Sequence, residues 1–306
     1  MTQTNLPETY RSGFVALVGR PNVGKSTLLN AYLGQKLAAV SSRPQTTRMQ
    51  QLAILTSDRA QIIFVDTPGL HQPHHKLGER MNEVALAALE DADLVLVMFD
   101  ASEDPTDEDF QVVQAVGQTA SDQPKLAVLN KVDLPSAQTL AERQAAFESL
   151  LHRVPMIAIS ATRGDHRVDL LDRIIAILPA GPQYYSPETT TDLYERDIAA
   201  DWIRAACMEL LHQEVPYSIT VRIDEYKERG ETGAYIAATL FVERDSQKGI
   251  VIGKGGEMLR RIGMMARTQI EAMSGRKVYL DLRVKVLPGW RNDDGVLNRF
   301  GFGSKA

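Results

Sequence analysis

Gly19-Arg20-Pro21-Asn22-Val23-Gly24-Lys25-Ser26 follows the apolar run Phe14-Val15-Ala16-Leu17-Val18 and opens a helical pattern, Lys25–Leu33. Gly-x-x-x-x-Gly-Lys-Ser between a strand and a helix is a phosphate-binding loop. Its glycines let backbone N–H groups close around phosphate oxygens, and the helix N-terminus adds partial positive charge. Lys25 would reach the β- and γ-phosphates, the Ser26 hydroxyl would hold Mg²⁺, and Thr27 continues the turn.

Outward from this stretch, short β-branched runs alternate with helical patterns. Strands are expected at Phe14–Gly19, Leu52–Leu55, Ile62–Asp66, Leu94–Phe99, Leu126–Asn130 and Met156–Ser160. Helices are expected at Lys25–Leu33, Lys76–Leu89, Asp107–Gln118, Thr139–Leu151 and Val168–Leu178. Near-continuous apolar strands separated by helices imply an α/β domain with a mostly parallel sheet covered on both faces. Ligands of such sheets bind at the carboxyl ends of the strands. Asp66-Thr67-Pro68-Gly69-Leu70, Asn130-Lys131-Val132-Asp133 and Ser160-Ala161-Thr162 all fall there.

Each of these motifs has its own chemistry. The Asp133 carboxylate can accept from the N1–H and N2–H₂ donors of guanine, which adenine does not offer as a pair. Buried hydrogen-bonding sites of this kind discriminate by ~10⁴–10⁵. Asp66 can hold Mg²⁺ through water, the Gly69 N–H can meet the γ-phosphate, and the Ala161 N–H can meet the guanine O6. Leu70 occupies the position where Ras-like enzymes carry a water-orienting glutamine, so the intrinsic hydrolysis rate is expected to be slow. His71, His74 and His75 are expected to be solvated loop residues rather than metal ligands, because no matching carboxylate or cysteine pattern accompanies them.

Pro179–Pro187 is rich in proline and breaks the alternation. The expected organisation is a nucleotide domain over 1–180, a linker over 181–191 and a smaller α+β domain over 192–306. In the last, helix Leu193–Leu211, strands Ser218–Glu225 and Ala234–Val242, a loop and helix over Gly253–Met273, and strand Lys277–Leu287 are expected. Ile252-Gly253-Lys254-Gly255-Gly256 precedes a helix bearing Arg260 and Arg261. A Gly-x-x-Gly loop between helices admits a nucleic-acid backbone without side-chain obstruction, as in KH domains that clamp four nucleotides. Met258, Met264, Met265 and Met273 read as core filling.

Charge follows the same division. The chain of 306 residues has a net charge of -5, which argues against a protein whose whole surface coats nucleic acid. Residues 1–191 carry 16 Lys+Arg against 22 Asp+Glu, whereas Arg244–Arg291 carries 11 basic residues against four acidic ones. That local excess is the footprint of a phosphate-binding face. Cys207 is the single cysteine, so no intrachain disulfide forms. It reads as a buried small apolar residue in a reducing compartment. The polar Met1–Arg11 stretch and the lack of a ~20-residue apolar segment lead to the expectation of a soluble, cytoplasmic chain.

The first domain resembles translation-factor-class small GTPases, whose five sequence elements appear here in order, the effector element being Thr46-Thr47-Arg48. The resemblance implies Thr47, rather than Thr46, as a Mg²⁺ and γ-phosphate ligand beside Ser26 and Asp66. In related GTPases an asparagine at the place of Asn22 helps bind K⁺; the alternative is that Asn22 only shapes the loop. Lys25, Asn22 and Thr47 are accordingly expected to carry catalysis. With Gln45-Thr46-Thr47-Arg48, the KH order and Leu287-Pro288-Gly289-Trp290-Arg291, nearly the whole chain resembles the bacterial Era family of GTPases. That resemblance implies GTP and GDP as ligands and Mg²⁺ as cofactor. It further implies single-stranded RNA at the 3′ end of 16S rRNA, a role in 30S subunit maturation, and peripheral contact with the inner membrane. The competing expectation is a membrane-associated cell-cycle GTPase whose KH-like module binds protein.

Overall fold

The structure, a computed structural model, describes residues 10–39, 43, 47–120, 122–151, 153–230 and 232–302. The chain divides into two compact units. The first comprises Met1–Gly34, Arg48–Gln72 and Met81–Asp192; the second comprises Gln35–Thr47, Pro73–Arg80 and Leu193–Ala306.

The first unit is built on β1 (Arg11–Val18), β2 (Gln51–Thr56), β3 (Ala60–Asp66), β4 (Leu94–Asp100), β5 (Lys125–Asn130) and β6 (Met156–Ala158), in sheet order β2-β3-β1-β4-β5-β6. Only β2 runs antiparallel, forming a hairpin with β3. Among the described residues, its helices are α1 (Lys25–Leu33), α2 (Lys76–Glu90, of which residues 76–80 group with the second unit), α3 (Asp107–Thr119), α4 (Ala137–Leu150) and α5 (Arg167–Ile177). Alternate strand residues enter two separate cores. Val15, Leu17, Phe64, Leu96 and Val128 pack with Leu28, Leu170 and Ile174. Ala16, Val18, Val97, Phe99 and Leu129 pack with Ala85, Val112 and Phe147. A strand buried on both sides cannot alternate with polar residues, which is why these segments read as continuous apolar runs.

The stretch 181–191, expected as a linker, is fixed to the first unit. Gly181 N donates to Tyr10 O at 3.1 Å and Ile54 N to Thr190 O at 2.9 Å. The Gln61 side chain donates to Tyr185 O and accepts from the Tyr184 and Tyr185 amides.

The second unit has α6 (Glu195–Leu210), β7 (Thr220–Arg229), β8 (Gly233–Val242), α7 (Asp245–Ile252), α8 (Glu257–Ser274), β9 (Lys277–Val286) and α9 (Asp294–Arg299). Its sheet order is β7-β8-β9, with β7 antiparallel and β9 parallel to β8. The helix expected before the glycine loop, for which the sequence reading set no bounds, is α7, started by Gln247, whose side-chain oxygen accepts from the Glu243 and Arg244 amides. Eight residues containing Gly249 and three β-branched positions carry too weak a helical period for the bounds to be read from sequence.

One face of this sheet packs with α6 and α8 through Ile203, Cys207, Ile236, Leu240, Ile262 and Ile270. Cys207 is buried, and burial pushes its thiol up to about 12, so it is inert packing. The opposite face is covered at one end by the C-terminal segment. Trp290 is fully buried, donates from its indole to Ser218 O at 2.9 Å, and meets Phe300 edge-on. Trp290→Ala should cost about 3–5 kcal/mol of the second unit's stability. Trp202, the other of the two tryptophans, is buried in the same unit and reports its urea unfolding by fluorescence. An unchanged midpoint would show that the segment is not part of the cooperative fold.

Candidate functional site

The carboxyl ends of β1, β3, β5 and β6 bring the phosphate loop, Asp66–Leu70, Asn130–Asp133 and Ser160–Thr162 to one edge of the sheet. Asn130 ties three of these loops together. Its Nδ2 donates to Val23 O at 2.8 Å and its Oδ1 accepts from the Ala161 N–H at 2.9 Å. Gly24 passes so close that a Cβ there would stand 2.3 Å from Asn130 Nδ2, and its φ of 102° lies in the left-handed region. The Ala161 N–H, expected to meet guanine O6, therefore serves Asn130 in this structure.

Lys25 is buried and its ammonium donates to Gly19 O at 3.0 Å and Arg20 O at 3.1 Å. Burial pushes the Lys25 ammonium down to about 8, against the attraction of Asp66 and with help from Arg20. The Ser26 hydroxyl donates to Asp66 Oδ2 at 2.9 Å, and Gln51 Nε2 donates to the same oxygen at 3.0 Å. A hydroxyl and a carboxylate this close form a hard-oxygen pair that fits Mg²⁺. Gln51 was not singled out from sequence; only the β2–β3 register, which pairs it with Asp66, reveals it.

Asp133 Oδ1 is a buried carboxylate oxygen with no hydrogen-bond partner among the described residues. A buried acceptor left unmatched is costly, and a ligand with two adjacent N–H donors would satisfy it. Beside it, Lys131 adopts φ 65° and donates to Asp100 Oδ2 at 2.5 Å. Burial alone would raise the Asp100 pKa, but the hydrogen bonds from Lys131 and Ser102 outweigh it and hold the group below the ordinary value. Arg20 pairs with Glu103 and lies 3.3 Å from Asp109 and 3.9 Å from Asp100. Asp109 also closes the capping box of α3 with Thr106. Asp100, Glu103 and Asp109 were missed because their role depends on β4 lying between β1 and β5.

Several expected residues take structural places. The Thr67 hydroxyl is spent on Leu17 O at 2.6 Å. Leu70 is 5% exposed and belongs to the core with Val18 and Phe99, so it packs where a glutamine would face a ligand. His71, expected to be solvated, is buried, with Nδ1 3.0 Å from Gly69 O; the tight turn after Gly69 folds it inward. No cluster of three metal-ligating side chains occurs among the described residues. Ser160 caps its own turn by accepting from Arg163 N, Asn22 is an exposed left-handed residue of the loop, and Pro21, Val132 and Thr162 line their turns. Thr47 belongs to the segment 35–47 of the second unit, while Gln45 and Thr46 lie outside the described residues.

In the second unit Gly253, Gly255 and Gly256 all adopt positive φ, and a Cβ on Gly255 or Gly256 would meet nothing within 4 Å. The loop thus leaves open space at the N-terminus of α8. Lys254, Arg260, Arg261 and Arg267 are exposed and form no ion pair among the described residues. Arg276, Arg283 and Arg291, by contrast, are engaged by Glu195, Asp281 and Glu243. A groove of ≈ 380 Å³ runs from Gly256 along Leu259, Arg260, Gly263, Met264 and Arg267. Met264 and Met265, expected in the core, are 46% and 38% exposed: their places on α8 point away from the sheet.

The fold and the two sites define a P-loop GTPase with a C-terminal KH domain. A family of 50S ribosome-binding GTPases matches residues 14–131, and the KH domain family matches 214–291. GTPase Era of Geotalea uraniireducens is 43% identical over 96% of this chain and 98% of its own, and GTPase Era of Thermotoga maritima 44% over 94% and 96%. A crystal structure of Era in complex with MgGDPNP and nucleotides 1506–1542 of 16S ribosomal RNA superposes with a TM-score of 0.90 at 37% identity, covering 96% of this chain and 100% of that one. A point variant of Aquifex aeolicus Era bound to GDP·AlF4⁻ matches at TM-score 0.89 and 37% identity, with the same coverage. The chain belongs to the Era family of GTPases.

A bound polyphosphate favours the charged form of Lys25. Below pH 8 the group is protonated with or without nucleotide; between about 8 and its ordinary value of 10.5 the free protein lacks a proton that the complex regains. By the same linkage the free fold loses stability as pH falls from about 10.5 to about 8, where only the unfolded chain holds the proton, and loses no more below about 8, where both folded and unfolded chains hold it. Calorimetry of GDP binding at pH 9 in buffers of different ionisation enthalpy should therefore show proton uptake that has faded by pH 6.5. Equal proton counts at the two values would refute the assignment.

Proposed function

We propose that this GTPase is a nucleotide-controlled switch that grips single-stranded RNA at the 3′ end of 16S rRNA and acts in maturation of the 30S subunit. The observation that carries the reading is the 0.90 TM-score to an Era bound to both MgGDPNP and that RNA, over nearly the full chain. The open glycine loop and its unneutralised arginines supply the chemistry for a phosphate backbone.

The proposed roles follow from the geometry above. Residues 1–180 form the GTPase domain, 181–191 the connection and 192–306 the RNA-binding domain with its C-terminal tail. Gly19–Thr27 cradles the phosphates, with the Lys25 ammonium turned from the Gly19 and Arg20 carbonyls onto them. Ser26, Asp66 and Thr47 would hold Mg²⁺, which neutralises charge on the transferred phosphoryl group. Asp133 accepts from guanine. Asn130 fixes the loop that presents Ala161, whose N–H would turn from Asn130 towards O6. With Leu70 committed to the core, the intrinsic rate is slow and Asn22 recruits K⁺ beside the phosphates. Ile252–Gly256, Arg260 and Arg261 take the RNA.

The switch has a structural handle. Within the second unit, Leu37 and Ala39 of the effector segment pack on the KH core, and Arg43 lies 2.9 Å from His212. Arg80 and Lys76, soon after Asp66–Leu70, pair with Asp294. Ordering of Thr47 by nucleotide would pull on the first segment, and repositioning of Gly69 would pull on the second. No described helix is long and apolar enough to cross a membrane; the cytoplasm is the proposed location, with contact at the inner membrane peripheral.

RNA carrying the 16S 3′ end should bind at least about fivefold more tightly to the chain loaded with a non-hydrolysable GTP analogue than with GDP, as typical coupling energies require. Gly255→Asp, which puts a carboxylate into the open space beside the loop, should weaken RNA binding at least about tenfold and leave GDP affinity unchanged. Equal RNA affinity in both nucleotide states would sink the switch, and RNA binding undiminished by Gly255→Asp would sink the loop assignment. Capture of protein or vesicles without RNA would favour the cell-cycle alternative. Separately, GTP turnover should be faster in K⁺ than in Na⁺ at equal ionic strength, and Asn22→Ala should erase the difference; equal rates in the two salts would remove K⁺ from the mechanism.

A further inference from the structure

The groove beside the glycine loop ends at an aromatic stack. Along β9, Val278, Leu280 and Leu282 pack with the helices, so the period of two places Tyr279 on the opposite face of this edge strand. Tyr279 is paired in register with Tyr235 of β8. Their rings lie 5.8 Å apart at 17°, and the Arg229 guanidinium stands 5.0 Å above Tyr235. Tyr235 is thus covered on both faces, while Tyr279, 67% exposed, keeps its outer face open.

Elsewhere on this sheet face Phe241 is covered: Phe300 meets it at 5.2 Å, tilted by 55°, and the Arg222 guanidinium lies 5.1 Å from its ring. Tyr279 is left open, and it borders the groove together with Met264 and Arg267. Its position along the groove follows from the antiparallel run of α8 and β9. Gly263 faces Leu282; three strand residues back, about 10 Å away, comes Tyr279, at the end remote from the glycine loop. A strand clamped at Gly253–Gly256 and lying along the groove reaches this ring as it leaves.

We propose that Tyr279, braced by Tyr235 and Arg229, is a stacking platform for a nucleobase beyond the four held in the groove. The inference rests on the RNA reading above and extends it: the footprint gains a nucleotide at the end away from the loop, with Arg267 beside it to meet phosphate. Every base has a π-face, so the platform lengthens the footprint and is tolerant of sequence. A protein partner on the same ring would bind independently of RNA length.

The test uses the full chain loaded with a non-hydrolysable GTP analogue and fluorescently labelled, unstructured RNA oligomers of roughly four to eight nucleotides. Tyr279→Ala should raise Kd for the longer oligomers by about tenfold, the loss expected for one stacked base, and leave the shortest unchanged; Tyr279→Phe should retain the affinity. One abasic substitution should reproduce the loss in the unmodified chain and add nothing in Tyr279→Ala. No change at any length, or an equal loss at every length, overturns the platform. If Gly255→Asp abolishes binding while Tyr279→Ala changes nothing, the RNA reading stands and the platform falls. If the unmodified chain binds none of the oligomers, both fall.

Discussion

A buried carboxamide holds the nucleotide site in shape. Asn130 lies at the end of β5, 2% exposed, and reaches Val23 O on one side and the Ala161 N–H on the other. Three loops far apart in the sequence meet on one side chain. Both groups it satisfies are buried, so removing it would leave an unpaired carbonyl and an unpaired amide rather than merely losing two contacts. Its neighbours depend on that anchor. Asp133 can keep a buried, unmatched oxygen only because the turn carrying it is held from the strand side, and Gly24 can lie against the Asn130 amide only because it has no side chain.

Around this anchor lies a chain of charge in which Asp100, Arg20 and Asp109 are buried, Lys131 is half-buried and Glu103 is exposed. Such a cluster contributes little net stability, because desolvation offsets much of the attraction. What it supplies is position. Asp100 ends β4, between the strands that carry the phosphate loop and the guanine-reading turn, and it accepts from Lys131 while lying near Arg20. The two loops are therefore referred to one carboxylate, and Asp109 ties the same arginine to the start of α3. A nucleotide entering this edge meets Asp100 and Arg20 already paired, and an Asp133 carboxylate oxygen with no hydrogen-bond partner among the described residues.

Much of this was legible in the sequence for a physical reason: the phosphate loop, Asp66–Gly69 and Asn130–Asp133 are short local motifs whose chemistry depends on backbone turns. The doubly covered sheet was equally legible, because strands buried on both faces must be apolar throughout. What could not be read depends on which strands become neighbours. Gln51 on Asp66, Asp100 between Lys131 and Arg20, and His71 turned inward all follow from sheet order or from a loop's path. Met264 and Met265 misled because apolar composition does not say which side of a helix a residue takes, and the bounds of α7 were hidden by its brevity and its glycine.

The division of the chain makes the same point at a larger scale. Composition placed the boundary near 180–191, yet segments 35–47 and 73–80 group with the second unit. They are the stretches that follow α1 and Asp66–Leu70, where the presence of a γ-phosphate is felt in a GTPase. Leu37 and Ala39 bury apolar surface in the KH core, and Lys76 and Arg80 share one exposed carboxylate, Asp294. The two attachments differ in character: the first is hydrophobic and indifferent to salt, the second ionic and screened by it. A nucleotide can shift the RNA-binding unit only by the difference in its interaction with two states of these segments. In the proposed switch, the coupling would be bounded by any difference between nucleotide states in the Leu37–Ala39 packing, with the Asp294 pairs as the salt-sensitive share.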